Sequence, residues 1–63
     1  MTRKDYILIA EVLKGAITYE KEFNKDEKKA FALEAVAHTF SNVLANENPR
    51  FDRARFLSAC GVM

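Results

Sequence analysis

Four groups of residues in this chain have side chains that could do chemistry. They are His38, Cys60, a run of carboxylates between Glu20 and Glu27, and three arginines between Arg50 and Arg55. His38 is the only histidine, and an imidazole is the one side chain whose ordinary pKa puts its charge change near neutrality. On a helix its neighbours one turn away are Glu34 and Asn42, which could orient the ring. No nucleophile is paired with it by sequence, so an exposed surface histidine is the expectation. Cys60 has Arg50, Arg53 and Arg55 near it in sequence, and an electropositive setting favours a reactive thiolate. It also falls beside Phe56 and Leu57, where a free cysteine packs as a small hydrophobe, and core packing is the better reading.

The carboxylates Glu20, Glu22, Asp26 and Glu27 interleave with Lys21, Lys25, Lys28 and Lys29. A metal site wants carboxylates that converge without competing ammonium groups, whereas alternating signs describe a solvated surface with pairs three or four residues apart. One cysteine and one histidine cannot complete a structural zinc site, which takes four ligands. The sequence assigns no metal, no cofactor and no catalytic residue. Glycine-rich phosphate loops, Cys-x-x-Cys pairs and Gly-x-Ser-x-Gly elbows are all missing.

The segment Arg50-Phe51-Asp52-Arg53-Ala54-Arg55-Phe56 is more informative. Its arginines could contact phosphates while its aromatics stack on bases, as nucleic-acid surfaces do. Arginine is also enriched at protein interfaces, so Arg50, Arg53 and Arg55 are candidate partner-binding residues for either class of macromolecule. Arg3 and Lys4 would join them if the N-terminus folds beside this corner. The structural alternative is that the two phenylalanines pack and an arginine bonds backbone carbonyls or Glu47. A helix-turn-helix is a poor match, because the helix after the corner has under two turns.

Three helices must position these groups. Thr2 with Asp5 three residues later is a capping box, and Met1 and Tyr6 occupy the positions of a hydrophobic staple. Tyr6, Ile9, Ala10, Leu13 and Ile17 then recur at helical spacing, widened by Ile7, Leu8 and Val12. A helix over about residues 2–19 follows, running through Gly15 despite the cost of glycine in a helix interior, the alternative being Gly15 as its left-handed C-terminal residue. Asn24 with Glu27 repeats the capping logic for a second helix over about residues 25–46. Its seam is Ala30, Leu33, Ala37, Phe40 and Leu44, broadened by Val36 and Val43.

Asn48-Pro49 ends that helix, because proline donates no hydrogen bond and pushes the residue before it out of helical geometry. Asp52 caps a third helix over about residues 53–59, with Phe51 and Phe56 as its staple and Gly61 as its C-terminal glycine. The expected fold is therefore all-α: a single domain over residues 1–63, with an antiparallel helix pair closed by a short third helix. If the second helix is as long as its seam, part of that seam stays uncovered. A second copy is the simplest cover.

A hydrophobic fraction of 49% with 30% charged residues is that of a chain that folds rather than one that stays disordered. The net charge of +1 gives no bulk pull toward nucleic acid or an anionic membrane. No stretch has the length and apolarity of a signal-peptide core or a membrane span. With one unpaired thiol, a reducing cytoplasm is the expected compartment.

Thr2-Arg3-Lys4-Asp5-Tyr6 at one end and Asn48-Pro49-Arg50-Phe51-Asp52-Arg53-Ala54-Arg55-Phe56-Leu57 with Ala59-Cys60-Gly61 at the other resemble a group of short uncharacterised proteins encoded by bacteriophages and prophages. The resemblance covers both ends and not residues 15–29. It implies a phage or mobile-element origin, the cytoplasm of a bacterial host, and a compact protein that binds a host or phage macromolecule. It carries over no functional residue. The expected function is a non-enzymatic interaction protein with a protein partner, self-associating along the second helix and modulating a defence or other host process. A nucleic-acid-binding accessory protein using Arg50, Arg53 and Arg55 is the alternative.

Overall fold

The structure is a computed structural model and describes residues 2–62. The expected Met1 to Tyr6 staple therefore lies outside the described residues. Among the described residues there are three α-helices: α1, Arg3–Thr18; α2, Glu27–Glu47; and α3, Arg53–Ala59. A π-helical turn, Tyr19–Phe23, extends α1. The all-α fold is as expected.

Each helix start follows from a cap. At α1 the Asp5 carboxylate accepts from the Thr2 backbone N–H at 2.9 Å and from its hydroxyl at 3.2 Å. One N–H and one O–H donor on the same carboxylate favour its charged form, and they hold the Asp5 pKa below its usual value. At α3 the Asp52 side chain accepts from the Arg55 N–H at 3.0 Å. Phe51 packs on Phe56 with ring centroids 5.4 Å apart, the expected staple. Gly61 ends α3 at φ +77, with Gly61 N–H bonded to the Ser58 carbonyl and Val62 N–H to the Leu57 carbonyl, both at 3.0 Å. This is the left-handed glycine cap that satisfies the last carbonyls.

The start of α2 differs from expectation. Its N-cap is Asp26, whose side chain accepts from the Lys29 N–H at 3.1 Å. Asn24 instead belongs to the end of the preceding helix: its N–H bonds to the Tyr19 carbonyl at 3.1 Å, five residues back, and its side-chain amide donates to Glu20. Lys25 reverses the chain at φ 52, a left-handed conformation unusual for a residue with a Cβ. The wide turn consumes the residues between the helices, so the cap moves two positions along.

α1 and α2 run antiparallel. The start of α1 meets the end of α2 through Tyr6 and Asn48, and the turn after α1 meets the first half of α2 through a Lys21–Glu34 ion pair at 2.8 Å. The core contains Ala10, Leu13 and Ile17 from α1, Ala30, Ala37, Ser41 and Leu44 from α2, and Phe56, Leu57 and Cys60 around α3. Three of the four α2 residues in it, Ala30, Ala37 and Ser41, are small. The Ser41 hydroxyl, fully buried, donates to the His38 carbonyl at 2.8 Å and so is not left unpaired.

The buried stripe of α2 is rotated from the expected seam. Ser41 replaces Phe40 on the inner face, and Leu33 sits at the margin. Val36, Phe40 and Val43 are turned toward solvent, as are Ile7, Leu8 and Val12 of α1. Both helices carry wider apolar faces than one partner helix covers.

Candidate functional site

The corner between α2 and α3 is built by local hydrogen bonds. Asn48 is extended (φ −139, ψ 108), as the residue before a proline must be. Its side-chain oxygen accepts from the Arg50 N–H and its carbonyl from the Phe51 N–H, both at 3.0 Å. These bonds fix the direction in which Arg50 and Phe51 leave the turn.

The corner then docks on the first turn of α1. Phe51 meets Tyr6 edge-on with centroids 4.9 Å apart, and the Asn48 amide reaches the Tyr6 hydroxyl at 3.5 Å. Tyr6 follows Arg3 by three residues and shares its helix face. The docking therefore brings Arg3 beside Arg50 and Arg55, although the two ends of the chain are far apart in sequence. The three arginines line one open cleft of about 530 Å³ with Tyr6, Phe51 and Phe56 among its apolar walls. Asp52 is the carboxylate on the lining, and its Oδ1 is already engaged by the α3 cap.

Arg3, Arg50, Arg53 and Arg55 are all exposed. Among the described residues, no ion pair engages any of them; the two ion pairs present are Lys21–Glu34 and Lys29–Asp26. Arg53, singled out with Arg50 and Arg55 by sequence, is not on the cleft lining. Lys4, suggested beside Arg3, is not on it either. The aromatic rings of the corner pack on one another and on Phe40 rather than standing free.

The other chemical candidates are dispersed. His38 is exposed on α2, and Glu34, which could have oriented it, is paired with Lys21. Cys60 is fully buried, and desolvation pushes its thiol pKa up, the opposite of what a reactive thiolate needs. His38 and Cys60 thus occupy different environments. The carboxylates near the π turn serve as caps and turn contacts at Glu20 and Asp26. Among the described residues, no three His, Cys, Asp or Glu side chains are grouped to hold a metal ion, and no helix is long and apolar enough to cross a membrane.

Sequence reasoning missed Tyr6 and Asn48 as the parts that assemble the cleft. Only the capping box at Thr2 hinted at it, since a helix starting there commits Arg3 and Tyr6 to one face.

No protein family, curated protein or solved structure matches this chain. A functional reading therefore rests on the chemistry of the cleft.

Proposed function

We propose that this chain is a small non-enzymatic interaction protein of phage or mobile-element type that binds a protein partner through the corner cleft. The observation that carries this reading is the convergence of three exposed arginines, none ion-paired among the described residues, around an apolar-walled cleft. Guanidinium groups present a planar fork of donors suited to carboxylates. The partner that fits is an acidic segment carrying an apolar side chain. Its carboxylates meet the arginine rim while its apolar group enters against Tyr6 and Phe51. Modulation of a host or defence process is the biological role that this kind of binding would serve.

A nucleic-acid reading is favoured by the same arginines. It is weakened by the net charge of +1 and by corner rings that pack on one another instead of offering stacking faces.

Binding to an array of acidic peptides and to single- and double-stranded oligonucleotides, measured at low and moderate salt, separates the two. Under the protein reading, acidic peptides with an apolar residue bind, and Arg50→Glu with Arg55→Glu abolishes binding while Arg53→Glu leaves most of it. Under the nucleic-acid reading, three phosphate contacts on a single strand give a log–log salt slope of about −2. Binding of neither probe at low salt would remove the cleft as a working surface.

A further inference from the structure

The face of α2 that lies beside the corner carries a shallow apolar groove lined by Ala35, Val36, Thr39, Phe40 and Val43. Val36 is 45% exposed and Val43 54%. At 3.6 residues per turn, positions 29, 36, 43 and 47 fall within about 40° of one another around the helix. One stripe therefore runs Lys29, Val36, Val43, Glu47 along nearly the whole length of α2. The lysine is at its N-terminal end and the glutamate at its C-terminal end.

We propose that this stripe is the interface with a second copy of this chain, with the two α2 helices packed antiparallel about a two-fold axis near Thr39. A two-fold interface pairs the same patch with itself. In the antiparallel arrangement Val36 and Phe40 of one copy face the Phe40 and Val43 region of the other, and Lys29 of each copy meets Glu47 of its partner at both ends. A parallel arrangement would set lysine on lysine and glutamate on glutamate. Glu47 has no ion pair among the described residues, and the Lys29–Asp26 contact within the helix is long, at 3.9 Å. Both charges are available to a partner. The helix dipoles also oppose each other in the antiparallel pair.

Surface area points the same way. A folded monomer of 7.2 kDa is expected to expose about 4,100 Å², whereas this chain exposes 4735 Å². The excess of roughly 600 Å² approaches the ~800 Å² per partner of a standard stable interface. Small side chains at Ala35 and Thr39 permit the interaxial distance of about 8–10 Å at which helices interdigitate. The proposal does not depend on the arginine cleft, which uses different residues.

Sedimentation equilibrium of the full chain is expected to give twice the 7.2 kDa monomer mass. Val36→Glu with Val43→Glu, at exposed positions that leave the intrachain core intact, is expected to give a monomer with an unchanged helical circular-dichroism spectrum. Lys29→Glu should weaken association several-fold, and adding Glu47→Lys should restore it. Arg50→Glu should leave the dimer in place, which keeps this test separate from that of the cleft. A wild-type chain that remains monomeric at millimolar concentration overturns the proposal. So does a dimer indifferent to the two valine substitutions, or a charge reversal that the second substitution fails to rescue.

Discussion

Among the described residues, Lys25 is the one non-glycine residue in a left-handed conformation, at φ 52. A Cβ in the left-handed region costs about 1–2 kcal/mol, and glycine avoids that cost. Replacing Lys25 with glycine is expected to stabilise the fold by up to about 1 kcal/mol, the larger unfolded-state entropy of glycine offsetting part of the gain. Chemical denaturation would read this as a higher midpoint with an unchanged slope; a lower midpoint would mean the lysine side chain contributes more than its strain. Asp5 gives a prediction about pH. Its folded pKa is depressed, chiefly by the backbone hydrogen bond from Thr2 and then by the hydroxyl. The capping box therefore contributes fully above about pH 4 and is lost as the pH falls through the lower folded value. The difference in melting temperature between the wild type and Asp5→Asn should shrink in acid, and a difference that is constant with pH would contradict the assignment.

At the scale of elements, the helix starts at Thr2 and Asp52 were legible because their signals are local. In each case the cap, the reach-back carboxylate or the staple lies within five residues. The start of α2 was not, because Asn24 and Asp26 are both good caps. What decides between them is a π turn and a left-handed lysine, which neither residue announces. The inner face of α2 was misjudged for a different reason. Hydropathy prefers Phe40 to Ser41, whereas Ser41 is fully buried with its hydroxyl satisfied on the helix's own backbone and Phe40 lies at the edge beside Phe56. Of the site, Arg50 and Arg55 could be named from sequence, since they share one short segment. Arg3 depended on a contact between Tyr6 and the corner that no periodicity encodes. Gly15, which the sequence leaves as either an interior residue or a C-terminal cap, lies inside α1. Nothing lies within 4 Å of where its Cβ would be, so Gly15→Ala should stabilise by about 1 kcal/mol and raise the melting temperature by roughly 4–8 °C. A melting temperature that falls would show that the position needs glycine for a contact outside this chain.

The whole molecule measures 36 × 18 × 15 Å, and α2, 21 residues at about 1.5 Å each, spans most of its length. One long helix, one partner and a short closing helix make an elongated body with a thin core. Its apolar residues outnumber the places that core provides. On the back of α1 and its π-helical extension, Leu8, Val12 and Tyr19 remain exposed, and Phe23 stacks on Tyr19 beyond them. A chain of this size has little stability to spare, so burial of the α2 stripe in a second copy would add to folding as well as to assembly. The melting temperature should then rise with protein concentration.

The uncovered face of α2 is the proposed interface with a second copy. Its most direct test is a cysteine placed at the two-fold axis, since the native Cys60 is fully buried and does not compete. Under mild oxidation Thr39→Cys is expected to form a covalent dimer rapidly, while Leu8→Cys on the back of α1 stays monomeric. Crosslinking at Leu8→Cys with none at Thr39→Cys would contradict the account.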